Sequence, residues 1–112
     1  RLLDQAGIQF DTSLTYHDSA GFRCGICYEY KMYDVLTRSE LSIIIRPLIV
    51  MEVTLFNKNY MNLSSDEGYL FIQKMKERCY RFNGDFSLLW HNHFFDKKKY
   101  KEIYKKVIRN LN

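Results

Sequence analysis

Apolar and polar residues follow several different patterns along the chain, and each pattern predicts a different element. The segment "IQFDTSL" (8–14) alternates between the two, as a half-buried strand does. The segment "LSIIIRPLIVMEVTLF" (41–56) is almost continuously apolar and predicts a strand covered on both faces, which Pro47 splits or brings to a sheet edge. A further strand is predicted for "DFSLLWH" (85–91). Residues 15–25 predict a long loop, and residues 26–36 show no clean period and predict irregular structure with one helical turn.

Three segments carry helix signals. The opening "RLLDQAG" is typical of the last turns of a helix closed by Gly7. Ser64 and Glu67 have the spacing of a capping box, which predicts that a helix begins there and ends at "NG" (83–84). Its apolar stripe would be Ile72, Met75, Cys79 and Phe82. A last helix is predicted over 97–111, with an apolar stripe at Tyr100, Ile103, Tyr104, Val107, Ile108 and Leu111.

The order of these elements favours an α/β fold. Strands separated by helices imply crossover connections and therefore parallel strands. A chain of 112 residues fits one domain. Because it opens on the end of a helix and has no initiator Met, we expect residues 1–112 to be the C-terminal fragment of a single longer domain.

Composition and charge limit the classes of partner that this chain is expected to bind. The net charge of +4 is too small to indicate nucleic acid by itself, and the lysines of 97–111 alternate with a core stripe, as in a solvated helix face. We therefore predict no nucleic-acid partner. No apolar stretch reaches the length of a membrane helix, so we also predict no membrane partner. The three cysteines, an odd number, favour a reducing compartment or free thiols.

His91 is the first candidate for chemistry. It stands at the C-terminal end of a predicted parallel strand, the edge at which α/β proteins gather catalytic groups, and an imidazole can act as acid or base near neutral pH. The alternative is a structural histidine hydrogen-bonded in a loop. Asp11, Asp18 and Arg23 follow the first strand and could orient a histidine or bind substrate, or they could cap turns and pair with each other.

Cys24 and Cys27 form a Cys-x-x-Cys motif. A zinc ribbon needs a second ligand pair, for which only Cys79 and the histidines remain. A thioredoxin-type pair should follow a strand, whereas this one follows a predicted loop. Two loop thiols without a role are the third alternative.

Three segments together resemble a known family. The segments "LDQAGIQFDTSLTYHDSAGFRCGICYEY", "RPLIVMEVTLF" and "FSLLWHNHFFD" are similar to the C-terminal part of polysaccharide deacetylase-like proteins of the NodB homology class, in or near carbohydrate esterase family four. The resemblance runs from about Leu2 to Asp96. Its most specific parts are the aGi-x-x-D-x-S-l and GFR-x-G segments and a late Leu-x-His motif.

The resemblance implies a distorted (β/α) barrel whose divalent metal, usually zinc, activates water against an acetyl carbonyl. Leu89-Trp90-His91 matches the Leu-x-His motif, which implies that His91 is the general acid and that Leu89 lines the acetyl pocket. Asp11 is the first choice for the carboxylate that orients His91, and Asp18 is the second. Trp90, Arg23 and Asp18 are then candidate substrate contacts. Aspartate is expected after Met51 in this branch, so Glu52 is given no functional role.

The family's metal motifs and its general base precede the segment present here, so the resemblance implies no metal ligand in this chain and no activity by the chain alone. We expect a carbohydrate substrate, and we expect the fragment to pair with the missing N-terminal half or with another copy of itself. Family precedent also allows an extracytoplasmic location. Two other functions stay open: a non-catalytic carbohydrate-binding or scaffold relative, in which Trp90 would stack on sugars, and a small zinc or thiol-redox protein built on Cys24 and Cys27.

Overall fold

Residues 1–109 form a mixed α/β structure with four α-helices, one 3₁₀ helix and five short strands. The computed structural model describes residues 1–109. The elements in chain order are α1 (Leu2–Gln5), β1 (Phe10–Asp11), β2 (Tyr30–Asp34), β3 (Ser39–Ile45), β4 (Val50–Met51), α2 (Glu52–Phe56), α3 (Ser65–Arg81), β5 (Leu88–Leu89), a 3₁₀ helix (Asn92–Asp96) and α4 (Lys98–Arg109).

The strands form two small sheets. In the first, β1 runs parallel to β3 with Phe10 opposite Ile44, and β2 pairs antiparallel on the other side of β3. In the second, β4 and β5 are parallel. The predicted parallel pairing is therefore confirmed for two of the three strand pairs. The two sheets do not close into a barrel within residues 1–109.

The β2 strand was missed by the sequence interpretation. Residues 26–36 lack a clean period because both faces of β2 are largely exposed, and only Asp34 at its end is buried. Its hydrogen bonds are supplied by β3, with Tyr30 opposite Ile45 and Asp34 opposite Ser39. A strand stabilised by its neighbour rather than by a buried face leaves little signal in its own sequence.

The apolar run 41–56 contains a strand, a break and a helix. Pro47 separates β3 from β4, as predicted. The prediction that the strand continues to residue 56 is wrong, because the chain turns into α2 directly after Met51. A short, fully buried apolar run cannot be told from a buried helix by its period, and α2 buries Glu52, Thr54 and Leu55.

The capping box of α3 is confirmed. The hydroxyl of Ser64 accepts from the backbone amide of Glu67, and the carboxylate of Glu67 accepts from the amide of Ser64. The predicted stripe holds for Ile72, Met75 and Cys79, which are buried, but not for Phe82, which is 64% exposed. Phe82 is the C-cap, and the chain leaves the helix there through Asn83 at a φ of 51°.

The last helix begins at Lys98, and Ile103 and Val107 are its buried residues. Ile108, predicted on the same stripe, is exposed. The prediction for Leu111 lies outside the described residues. None of the helices within 1–109 has the length and apolar character needed to cross a membrane.

The main core lies where α3 and α4 cover one face of the β4–β5 pair. Its buried members are Cys27, Ile49, Val50, Leu55, Ile72, Met75, Cys79, Ile103 and Val107. The turn after α3 closes this core at Gly84, whose amide donates to the carbonyl of Cys79 over 2.8 Å. A Cβ atom at Gly84 would lie 2.2 Å from the Sγ atom of Cys27 and 2.9 Å from its carbonyl oxygen. Only glycine fits at this contact.

We predict that Gly84→Ala lowers the free energy of unfolding by about 1–3 kcal/mol, because the added methyl group overpacks the core. Urea denaturation of the two proteins measures the difference. In a Cys27→Ala background the sulfur is gone but the carbonyl stays, so the same substitution should cost less. Equal costs in both backgrounds would contradict the assignment of the strain to Cys27 Sγ.

Candidate active site at the ends of two parallel strands

Two parallel strands bring the candidate acid and a buried carboxyl group together. In the β4–β5 pair, Met51 lies opposite Leu89. Glu52 follows the end of β4 as the first residue of α2, and His91 lies two residues beyond the end of β5. The carboxyl ends of adjacent parallel strands share one edge, so residues just past those ends meet.

The side chain of Glu52 holds His91 by two hydrogen bonds to one oxygen. Glu52 is completely buried, with 0% of its surface exposed. Its Oε1 atom accepts from the backbone amide of His91 over 2.9 Å and lies 2.5 Å from the Nδ1 atom of the same residue. A buried carboxyl group is costly unless it is hydrogen-bonded, and these two contacts supply partners for Oε1.

This arrangement orients the imidazole. Because Oε1 already accepts from the His91 amide, we assign the ring hydrogen to Nδ1, which then donates to Glu52. The His91 side chain is 42% exposed while Glu52 is fully enclosed, so Nε2 is the ring nitrogen available to a ligand. A histidine fixed through Nδ1 by a buried acid, with Nε2 presented outward, has the arrangement of an acid–base catalyst.

The second oxygen of Glu52 does not share in this contact. The Oε2 atom is buried and has no hydrogen-bond partner within residues 1–109. The hold on His91 therefore rests on Oε1 alone. Since both hydrogen bonds to Oε1 come from His91, the loss of the carboxylate would release the backbone amide and the ring at once.

A groove at the ends of β4 and β5 is lined by two of the predicted residues, Leu89 and Asp11. It has a volume of about 560 Å³, and its wall includes Leu89, Met51, Phe10 and Asp11 together with the hydroxyl-bearing residues Thr12, Ser13 and Thr15. Leu88 and Trp90 pack against the helical core, whereas Leu89 lies on the groove side and is 40% exposed. Leu89 is therefore a wall residue of an open groove, and its assignment to an acetyl pocket stays a prediction.

The expectation that Asp11 orients His91 is corrected. Its Oδ1 atom accepts from the amide and hydroxyl of Ser13, at 2.8 and 2.6 Å, and so closes the turn after β1. Asp18, the second choice, is exposed in the loop between β1 and β2. The carboxyl group that contacts His91 belongs to Glu52, the residue to which the sequence interpretation had given no role.

Arg23 and Trp90 are held by contacts of their own. The Nη1 atom of Arg23 donates to the carbonyl of Thr15 over 2.6 Å, and its guanidinium lies over the Tyr16 ring, so it closes the long loop. Trp90 stacks on Phe95 at 6.5 Å and packs edgewise or tilted against Phe56, Phe94 and Tyr104. Its indole nitrogen is buried, which corrects the expectation of an open platform for sugars.

The cysteines of the Cys-x-x-Cys motif do not form a joint site. The hydroxyl of Tyr30 lies 3.6 Å from the Sγ atom of Cys24, and this hydrogen bond, together with burial, raises the pKa of Tyr30 to about 12. Cys27 is buried beside Gly84. All three cysteines are free, and the part of the chain that the structure describes contains no group of three or more His, Cys, Asp or Glu side chains that could hold a metal ion.

Glu52 was missed although a signal for it exists. It is the acidic residue within the apolar segment "RPLIVMEVTLF", and an acid inside a buried run needs a hydrogen-bonding partner. The resemblance predicts aspartate at this position, and Glu52 was therefore given no role. The register of β4 against β5, which the sequence does not state, is what identifies His91 as that partner.

Comparison of the chain with models of known protein families, with curated proteins and with solved structures finds no match. The assignment of a function therefore rests on the geometry of the Glu52–His91 pair and on the resemblance of its motifs.

We predict that Glu52→Ala destabilises the fold by about 2–4 kcal/mol, because it leaves the amide of His91 without a partner and opens a cavity. Urea denaturation measures this loss. Nitrogen-15 NMR of the imidazole provides a second measurement that packing alone would not change: the wild type should carry its hydrogen on Nδ1, and Glu52→Ala should not hold this tautomer. Glu52→Gln, which retains an oxygen acceptor, is the matched control and should cost less. An unchanged His91 tautomer in Glu52→Ala would contradict the orienting role.

Proposed function

We propose that this chain is the C-terminal part of a polysaccharide deacetylase-like hydrolase and that His91 is its general acid. The observation that supports the proposal most is the hydrogen-bonded pair of a fully buried Glu52 and a half-exposed His91 at the ends of two parallel strands. The Leu-x-His motif at 89–91, with Leu89 lining an open groove, supports the same assignment. The substrate class proposed is an N-acetylated carbohydrate.

The proton transfer can be assigned to atoms of this chain. In its charged form, His91 carries hydrogens on both ring nitrogens, and Glu52 holds Nδ1. Water adds to the carbonyl carbon of the acetamido group. As the carbon–nitrogen bond then breaks and acetate forms, Nε2 gives its proton to the leaving amine nitrogen, and the ring is left neutral. Leu89 offers an apolar wall for the acetyl methyl group. Glu52 is a positioning residue, since it acts through His91.

The metal implied by the resemblance does not fit residues 1–109, which hold no cluster of three suitable ligands. We therefore assign no step of the reaction to a metal in this chain. In the proposal, a metal and a general base come from a segment that precedes this one in the family's motif order. This chain contributes the acid and part of the substrate wall.

We further propose that the observed elements are part of a distorted (β/α) barrel. The β4–α3–β5 unit supports this, because its two strands are parallel and are joined through a long helix. Helices cover one face of that pair, while the groove occupies the other face. In the barrel, the groove face would be covered by the preceding segment or by another copy of the chain.

A non-catalytic carbohydrate-binding relative gains less support. That alternative relied on Trp90 as a stacking surface, and the ring is enclosed by aromatic neighbours instead. The thiol or zinc alternative relied on Cys24 and Cys27, which have separate surroundings. The acid–base reading of His91 accounts for the buried carboxyl group, which the other two leave without a role.

We predict that His91→Ala lowers the rate of deacetylation of an N-acetylated oligosaccharide by about 10²- to 10⁴-fold in the natural gene product that contains residues 1–112, because the leaving amine loses its proton donor. Release of acetate measures the rate. His17→Ala is the matched control, because His17 is exposed and its ring packs edgewise on Tyr60. A rate for His91→Ala equal to that of the wild type would overturn the assignment.

A further inference from the structure

A second pocket lies immediately beside the candidate acid, on the side of the 3₁₀ helix. It has a volume of about 260 Å³, small enough for a single ring-sized ligand. Its wall contains three aromatic residues, Phe56, Phe94 and Tyr100, and three polar ones, Asn57, His93 and Lys97. We call this set the aromatic pocket.

The aromatic residues of the pocket are in contact with one another through Tyr100. The ring of Tyr100 lies 4.7 Å from that of Phe56 and 5.0 Å from that of Phe94, measured between ring centres. Three elements supply these rings, namely α2, the 3₁₀ helix and α4. Flat aromatic faces of this kind pack against the C–H faces of sugar rings, since they offer apolar area at a low entropic cost.

The polar residues of the pocket favour an anionic ligand. The Nζ atom of Lys97 lies 6.0 Å from the centre of the Tyr100 ring, so its charge is held near the aromatic wall. The side-chain oxygen of Asn57 already accepts from the amide of Asn59 over 2.9 Å, which leaves the donor end of the Asn57 amide for a ligand. No acidic residue is among the described residues that line the pocket. Donors and a cation with no competing acid recognise carboxylates and phosphates.

The aromatic pocket is joined to the candidate acid through His93. The ring of His93 lies 5.6 Å from that of His91 and 4.8 Å from that of Phe94, between centres. His93 and Lys97 both line the aromatic pocket. Val53, next to Glu52 in α2, also lines the pocket, so the two sites share an element.

We propose that the aromatic pocket is a subsite for a sugar unit that carries an anionic group, a carboxylate or a phosphate, next to the unit held at His91. The placement of this subsite next to the reacting sugar unit rests on the function proposed above. The binding of an anionic sugar in the pocket is independent of that function. Lys97 and Asn57 would bind the anionic group, and Phe94 and Tyr100 would pack on the ring. The substrate is then an acidic N-acetylated glycan rather than a neutral one.

The test is binding of small probes to the 112-residue chain, followed by amide and side-chain NMR. Glucuronate, glucose 6-phosphate, neutral glucose, acetate and inorganic phosphate are the five probes. We expect glucuronate or the sugar phosphate to bind at about millimolar concentration and to shift the signals of Asn57, His93 and Tyr100. The stronger of the two acidic sugars identifies the source of the charge.

Two lysine variants separate the pocket from the general basic surface. Lys97→Gln should weaken binding of the acidic sugar at least about tenfold, as expected when a charge-assisted contact is lost. Lys101→Gln removes an exposed lysine of α4 that does not line the pocket, so the same binding should be unchanged. Equal losses in both variants would mean a diffuse charge effect and would overturn the subsite.

Three other outcomes would also overturn the proposal. If glucose bound as tightly as glucuronate, the anionic group would not be required. If acetate or inorganic phosphate bound as tightly as the acidic sugars, the pocket would be an anion site only. If no probe bound, there would be no subsite. None of these readouts depends on deacetylation. Binding with an inactive enzyme would contradict the proposed function alone, and activity without binding would contradict the subsite alone.

Discussion

The hydrogen bonds between Glu52 and His91 are the contact on which the rest of this structure depends. A carboxyl group with no exposed surface has to find donors inside the protein, and both donors come from one residue 39 positions later in the chain. The two hydrogen bonds tie the residue after β4 to the segment after β5. The same residue, Glu52, is where the apolar run leaves β4 and α2 begins.

The residues after His91 are arranged by a cluster of aromatic rings. Trp90 is at its centre and touches Phe56 of α2, Phe94 and Phe95 of the 3₁₀ helix, and Tyr104 of α4. Because these four rings belong to three elements, the cluster locks the end of β5 to the last helix. The backbone of His91 is therefore held from one side by Glu52 and from the other by the aromatic packing of its neighbour. Such double support is what a reactive side chain needs to keep a single orientation.

The two open sites differ in chemistry. The groove next to Leu89 is walled by apolar side chains and hydroxyl groups, which suits an acyl group and neutral sugar hydroxyls. The aromatic pocket combines ring faces with Lys97 and Asn57, which suits a charged group. Leu89, two residues before His91, lines the first, and His93, two residues after it, lines the second. The proposed activity and the proposed specificity therefore rest on two different sites, each lined by a residue two positions from His91.

Local sequence determined the elements whose signals are short-range. The capping box of Ser64 and Glu67, the break at Pro47, the buried stripe of α3 and the strand before His91 follow from nearest-neighbour chemistry, and the structure contains them. The mixed α/β class follows from the order of these elements. The residues of β2 were not identified because that strand is stabilised by hydrogen bonds to β3. The sequence of β2 does not by itself predict which segment it pairs with.

The identity of the group that orients His91 was decided only by the tertiary structure. Asp11 was expected from motif order, but the turn after β1 engages its carboxylate locally with Ser13. Glu52 takes the role because parallel register brings the ends of β4 and β5 to one edge, and register depends on contacts between segments far apart in the chain. The same holds for Trp90, whose ring is enclosed by residues from helices that its own sequence neighbourhood does not specify. The sequence alone predicted His91 as the candidate acid. The tertiary structure decided that the carboxyl group of Glu52 holds it, because only the fold brings these two residues together.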